Sequence, residues 1–212
     1  MSEDVERKRA SIVVLLKEAR GHCDASLVEK CRRGDGSAFD ELVRRHKDRL
    51  YNVVYRFLGS HEDAQDVVQE VFVRAYRSIE GFRGESQVYT WLYRIALNLA
   101  RNRVRDSKRK GRDKGTSLEA LEGAAPGVAG RASSTERNPG SEAMAHELEE
   151  TLQRVLDELP ESCRMAFVLR TVDGLSYEEI AELMECPRGT VKSRLNQARR
   201  MLRDRLEELS VL

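Results

Sequence analysis

Hydrophobic residues recur at steps of three and four along most of this chain, and that spacing places them on one face of an α-helix. Glycine- and proline-containing breaks separate the periodic stretches, and Ser37 is the expected cap of the second helix. Only four prolines occur in 212 residues. The sequence therefore predicts an all-α protein, with helices over residues 24–33, 37–58, 62–78, 89–105, 142–159, 162–172, 176–186 and 187–203.

A change in composition divides these helices into two groups. Residues 113–141 are rich in glycine, alanine and serine and contain no aromatic residue. Such a segment cannot bury enough surface to offset the entropy lost on ordering. We therefore expect two small helical domains joined by a flexible linker. The predicted parts are an N-terminal extension at 1–23, a first domain at 24–112, the linker at 113–141 and a second domain at 142–210.

The last two predicted helices have the layout of a helix-turn-helix with a strongly basic second helix. Ser176 and Glu179 form a capping-box pattern, and Pro187 separates the helices. Within residues 187–203 the apolar residues recur at steps of three and four, which predicts a buried inner stripe. The same segment contains six basic and no acidic residues. An isolated basic face is usually only solvated, but the cap, the first helix and the turn occur here together, which favours a recognition helix. The candidate contacts to duplex DNA are Arg188, Thr190, Lys192, Ser193, Asn196, Gln197 and Arg200.

A second candidate surface combines aromatic and basic residues. Residues 80–88 contain two glycines and predict an exposed loop, which the helix at 89–105 follows. Trp91 falls on the apolar stripe of that helix and is expected in the core, whereas its other aromatic and basic residues lie off the stripe. Aromatic rings stack on unpaired bases and cations contact phosphates, so this surface suits partly melted DNA. Its candidate residues are Phe82, Arg83, Ser86, Gln87, Tyr89, Tyr93, Arg94, Asn98 and Arg101.

The helix at 62–78 carries a polar, acidic face opposite its apolar stripe, with Asp63, Asp66, Gln69 and Glu70. We interpret this face as a surface for docking a protein. The alternative is a carboxylate site for Mg²⁺ in a nuclease. The four cysteines include no C-x-x-C pair, so we expect no metal site and no cofactor.

The net charge of +1 is the sum of opposed patches. Residues 24–114 contain 20 basic and 14 acidic residues, whereas residues 142–186 contain 3 basic and 12 acidic residues. The acidic surroundings should confine duplex contact to the basic helix. The apolar run at 12–16 is too short to span a membrane, so we expect a cytoplasmic protein without membrane insertion.

Four blocks of the chain resemble the extracytoplasmic-function (ECF) sigma factors of the sigma-70 family. They lie at 38–59, 62–79, 82–102 and 156–202, and the strings TWLYRIA and GTVKSRL are the most specific. The resemblance implies a protein that binds core RNA polymerase and directs it to promoters, and that is not itself an enzyme. A stand-alone helix-turn-helix regulator, which would bind duplex DNA as a dimer without polymerase, is the alternative.

The resemblance also implies roles for the three surfaces. The helix at 62–78 would dock on a coiled coil of the largest polymerase subunits, residues 82–105 would trap the minus-10 element as a single strand, and the helix at 187–203 would read the minus-35 element. An anti-sigma factor between the two domains is a further expected partner. Many relatives carry an arginine in the pair that is Asn196-Gln197 here, and arginine suits guanine whereas asparagine or glutamine suits adenine.

Overall fold

The computed structural model of the chain describes residues 24–84, 86–113 and 139–209, and the described residues contain helices and no strand. The predicted all-α architecture is confirmed. The N-terminal extension, Glu85 and most of the predicted linker lie outside the described residues. The helices are α1 (residues 24–32), α2 (Gly36–Leu58), α3 (His61–Ser78), a 3₁₀ turn (Ile79–Gly81), α4 (Val88–Asp113), α5 (Pro139–Asp157), α6 (Glu161–Thr171), α7 (Tyr177–Leu183) and α8 (Arg188–Glu208).

Side-chain caps set the starts of several helices. Ser60 caps α3 by accepting a hydrogen bond from the Asp63 backbone N–H at 3.2 Å. The cap of α2 differs from the sequence prediction, in which Ser37 supplies it. Asp35 is the cap, because its carboxylate accepts from both the backbone N–H and the hydroxyl of Ser37, at 3.0 and 2.6 Å. A carboxylate also interacts favourably with the positive end of the helix dipole.

The predicted capping box of α7 is confirmed. The Ser176 hydroxyl accepts from the Glu179 backbone N–H at 3.2 Å, and the Ser176 backbone N–H donates to the Glu179 carboxylate at 2.6 Å. The helix ends at Leu183, and Glu185 then adopts a left-handed conformation with φ of 50°. Pro187 precedes the first turn of α8. The tight connection fixes the angle between the two helices of the helix-turn-helix.

The first domain is a bundle of α2, α3 and α4 with α1 packed against it. Its core is formed by the apolar stripes that the sequence predicted, including Leu50 and Phe57 of α2, Val71 of α3 and Leu92 of α4, all buried. Burying one such side chain contributes about 1.5–3 kcal/mol.

The second domain is built by packing α6 and α7 against α8, with α5 across the end. The predicted inner stripe of α8 is confirmed, since Val191, Leu195, Ala198 and Leu202 are all buried. The opposite side of α8 therefore faces solvent. This is how a local sequence pattern orients the basic residues outward.

The two domains pack directly on one another, which the linker composition did not predict. The α2 helix contacts α5 and α6, and α4 contacts α7. The guanidinium of Arg164 lies 5.1 Å from the centre of the Phe57 ring, at a distance typical of a cation–π contact. Arg56 pairs with Glu149 at 2.9 Å. The domain interface thus combines an apolar centre with ion pairs.

Gly59 provides a test of this packing. It ends α2 with φ of +74°, and a Cβ there would lie 2.9 Å from the Asp157 carboxylate of α5. We predict that Gly59→Ala lowers the free energy of unfolding by about 1 kcal/mol more than Gly34→Ala, because both residues are left-handed but no atom lies within 4 Å of a Cβ added at Gly34. Urea unfolding of the two variants measures the difference. Equal losses would contradict the close approach of α5 to Gly59.

Candidate nucleic-acid interface

The outer side of α8 presents the residues that the sequence assigned to duplex DNA. Residues at steps of about four share one side of a helix, so the predicted contacts form a single stripe. Six of these residues are exposed and Thr190 is partly exposed. We call this set the α8 face: Arg188, Thr190, Lys192, Ser193, Asn196, Gln197 and Arg200.

Local contacts orient parts of the α8 face. Arg188 pairs with Glu178 of α7 at 3.0 Å, and both side chains are largely exposed. The Ser193 hydroxyl donates to the Thr190 carbonyl oxygen at 2.9 Å, and the Cys163 thiol lies 3.4 Å from the Gln197 side-chain oxygen. The face thus offers cations together with amide and hydroxyl groups, which are the groups used for phosphate contact and base readout.

The second candidate surface, here called the α4 face, consists of Phe82, Arg83, Ser86, Gln87, Tyr89, Tyr93, Arg94, Asn98 and Arg101. Its loop part is largely accessible, since Arg83 and Gln87 are exposed and Ser86 is partly exposed. The centres of the Phe82 and Trp91 rings lie 5.0 Å apart. The backbone carbonyl oxygen of Phe82 accepts a hydrogen bond from the Arg32 guanidinium. Trp91 packs against the core as expected but stays partly exposed.

The helical part of the α4 face differs from the prediction. Tyr93 was expected off the apolar stripe and accessible, but only 2% of it is exposed, and Tyr89 is partly buried. The reason is that α4 is covered on two sides, by α2 and α3 of its own domain and by α7 of the second domain. A helical period identifies one buried side and cannot reveal a second one that another domain supplies.

Carboxylates of the second domain contact the polar groups of α4. The Tyr89 hydroxyl donates to Glu179, and Arg94 pairs with Glu182 at 3.0 Å. Burial raises the pKa of the Tyr89 and Tyr93 phenols, and the neighbouring carboxylates, Glu179 for Tyr89 and Asp173 for Tyr93, raise it further. Both hydroxyls therefore remain protonated and able to donate.

The acidic α3 face, formed by Asp63, Asp66, Gln69 and Glu70, is engaged by an arginine that the sequence did not single out. Arg103 of α4 pairs with Asp63 at 3.0 Å and with Asp66 at 2.9 Å. The three side chains are 41–59% exposed, so the cluster lies at the surface. Arg103 belongs to a run of basic residues, and only the tertiary packing of α3 on α4 distinguishes it.

The α3 carboxylates do not converge as metal ligands would. Arg103 lies between Asp63 and Asp66, and Glu70 pairs with Arg74 at 2.7 Å. Within the described ranges, no group of three or more His, Cys, Asp or Glu side chains is placed to hold a metal ion. In the same ranges, no helix is both long and apolar enough to cross a membrane.

Both domains match known protein families. The profile described as Sigma-70 region 2 matches residues 42–110, and that of Sigma-70, region 4 matches residues 149–202. The chain is 42% identical over 186 residues to the ECF RNA polymerase sigma-E factor of Haemophilus influenzae, covering 88% of this chain and 96% of that protein. The corresponding factor of Escherichia coli K12 is also 42% identical over 186 residues, covering 88% and 95%.

The fold also matches that of a sigma factor whose structure was solved in a complex. The sigma factor RpoE from Bartonella quintana, determined with the anti-sigma factor NepR, superimposes with a TM-score of 0.62 at 25% identity, covering 80% of this chain and 96% of that chain. The α3 and α4 faces lie within the region 2 match, and the α8 face lies within the region 4 match.

Proposed function

The chain belongs to the sigma-70 family of transcription initiation factors, within its extracytoplasmic-function (ECF) class, and from this premise we propose how its three faces contact DNA and polymerase. It is a sigma factor, which binds core RNA polymerase, directs it to promoters and promotes DNA opening. The observation that carries this conclusion is the 42% identity to sigma-E factors across both domains. A stand-alone helix-turn-helix regulator would not require the first domain.

The α8 face reads the minus-35 element as duplex. Its cations suit phosphate contacts, and Asn196 and Gln197 suit the donor and acceptor pattern of adenine in the major groove. Its exposure in the free chain supports this role, because an exposed stripe on α8 enters a groove without rearrangement. Asn196 and Gln197 are therefore the residues proposed to set the promoter preference.

The α4 face holds the minus-10 element as a single strand. Arg83, Arg94 and Arg101 provide cations, and Tyr89 and Phe82 provide rings for stacking on unpaired bases. Capture of unpaired bases favours the open form of the promoter, because a ligand stabilises the state to which it binds. This assigns the melting step to the first domain.

The α3 face docks on core polymerase, and Arg103 acts as a positioning residue. By pairing with Asp63 and Asp66, Arg103 holds two carboxylates side by side at the surface. Fixed carboxylates suit a basic partner surface, because less side-chain entropy is lost on binding.

The remaining assignments concern partners and location. We infer that the chain carries no catalytic reaction of its own, since the residues described serve binding. The solved relative was determined with an anti-sigma factor, which supports a comparable protein partner here. A cytoplasmic location follows from action on core polymerase and DNA.

Promoter-directed transcription tests the function. Core polymerase is incubated with genomic fragments in the presence and absence of the purified chain, and the 5′ ends of the transcripts are mapped. We expect discrete start sites that require the chain and share two upstream elements. Identical transcripts from core polymerase alone would contradict the proposal.

A further inference from the structure

One residue of the α8 face, Gln197, is held by a contact from another helix. The Cys163 thiol of α6 donates a hydrogen bond to the Gln197 side-chain oxygen, with 3.4 Å between the sulfur and the oxygen. Cys163 is only 2% exposed and belongs to the apolar cluster that contains Ala198 and Leu202 of α8. The oxygen of the Gln197 amide is therefore directed into the protein.

Gln197 occupies an edge of α8 between its buried stripe and its outer side. Successive residues of an α-helix are turned by about 100° from one another. Ala198, which follows Gln197, is fully buried, whereas Asn196, which precedes it, is exposed. Gln197 itself remains exposed although its oxygen contacts a buried thiol. One end of the Gln197 amide is thus bound by the protein, and the other end is available to DNA.

The orientation of the amide decides which base it can recognise. In a bidentate contact with adenine, the amide oxygen accepts from the N6 amino group while the amide nitrogen donates to N7, so both groups must face the base together. Guanine presents two acceptors in the major groove, N7 and O6. A Gln197 whose oxygen is directed at Cys163 presents its amino group outward, and these donors match guanine.

We propose that Cys163 is a positioning residue for base readout, which makes Gln197 a reader of guanine although glutamine by residue type also suits adenine. This inference rests on the proposed minus-35 role of the α8 face. The preference for adenine then applies to Asn196, which is exposed, and not to Gln197. Two neighbouring amides of α8 thus recognise different bases because one of them is held by α6.

The test selects minus-35 sequences with the complete holoenzyme. A promoter mapped in the transcription assay is prepared as a duplex pool in which the minus-35 element is replaced by about ten random base pairs. Core polymerase carrying the native chain or a variant is bound to the pool, and the bound duplexes are sequenced. Gln197→Ala identifies the position that Gln197 reads, because the base preference is lost there.

Substitutions at two cysteines separate the hydrogen bond from a general effect of losing a thiol. Cys163→Ala removes the group that binds the amide oxygen, whereas Cys163→Ser keeps a donor at that position. Cys186→Ala is the matched control, because its thiol also contacts a side chain of α8, with 3.4 Å between the sulfur and a guanidinium nitrogen of Arg194.

We expect the native chain to prefer guanine at the position that Gln197 reads. In Cys163→Ala the ratio of guanine to adenine there should fall about tenfold, because the released amide can form the bidentate contact with adenine. Cys163→Ser and Cys186→Ala should keep the native ratio. An unchanged ratio in Cys163→Ala, or an equal fall in Cys186→Ala, would overturn the proposal.

Failure of the underlying role of Gln197 gives a different result. If Gln197→Ala changes the base preference at no position, Gln197 does not read a base. That outcome would count against the proposed role of Gln197 on the α8 face, and the inference would fall with it.

NMR of the free chain provides a measurement that does not involve DNA. Nitrogen relaxation of the Gln197 side-chain amide, assigned by its absence from the spectrum of Gln197→Ala, reports how firmly the side chain is held. We expect a higher order parameter in the native chain and in Cys163→Ser than in Cys163→Ala. Equal order in the native chain and Cys163→Ala would show that Cys163 does not hold the amide, and would overturn the proposal.

Discussion

Removal of the Lys192 and Arg200 side chains together is expected to lower the affinity for minus-35 duplex DNA by roughly a hundredfold. Both residues lie on the exposed α8 face, and each is assigned a phosphate contact. Fewer counterions are released when fewer phosphates are neutralised. The slope of log affinity against log salt should therefore fall by about two in the double variant Lys192→Ala/Arg200→Ala. Titration of the full chain with duplex DNA between roughly 50 and 200 mM salt measures both quantities.

Arg205→Ala provides the control for this prediction. Arg205 is a cation on the same helix, but it pairs with Glu158 and Glu208 at 2.8 and 2.6 Å, away from the α8 face. Its removal should leave the salt slope unchanged. A double variant with the slope of the native chain would show that Lys192 and Arg200 do not contact phosphates.

Loss of the α3 carboxylates should weaken binding to core polymerase by tens-fold. The double variant Asp66→Ala/Glu70→Ala removes two of the exposed acids from the α3 face, and charges at an interface control association with a basic partner surface. Competition against the native chain for core polymerase gives the relative affinity. Duplex binding by the free variant should remain at the native level, because α8 is not altered.

The matched control for the docking prediction is Asp40→Ala/Glu80→Ala, which removes two exposed acids from other parts of the first domain. If both double variants lose polymerase binding equally, only the overall negative charge matters and the α3 face has no specific role. Loss of duplex binding together with polymerase binding would indicate misfolding.

Local sequence signals predicted much of this fold because they act over one or two helical turns. The Ser176–Glu179 capping box involves residues three positions apart, and the inner stripe of α8 repeats every three or four residues. Both were correctly predicted. The choice between Asp35 and Ser37 as the α2 cap was not, because both residue types favour that position and the geometry decides.

Contacts between elements that are far apart in the sequence could not be predicted from it. Tyr93 was expected off the main apolar stripe of α4, whereas it is buried close to Asp173 of the second domain. Arg103 is one of many basic residues, and its pairs with Asp63 and Asp66 bring together residues about 40 positions apart. The linker composition says nothing about which faces of the two domains meet.

The division of DNA reading between α8 and α4 is tested most directly by footprinting of the complete holoenzyme at a promoter mapped in the transcription assay. Permanganate detects unpaired thymines, and nuclease protection detects upstream duplex contact. For Arg94→Ala/Arg101→Ala we expect upstream protection to persist and thymine reactivity at the minus-10 element to be lost. For Lys192→Ala/Arg200→Ala we expect upstream protection to weaken more than thymine reactivity. Parallel loss of both signals in each variant, or retention of thymine reactivity in the α4 variant, would contradict the account.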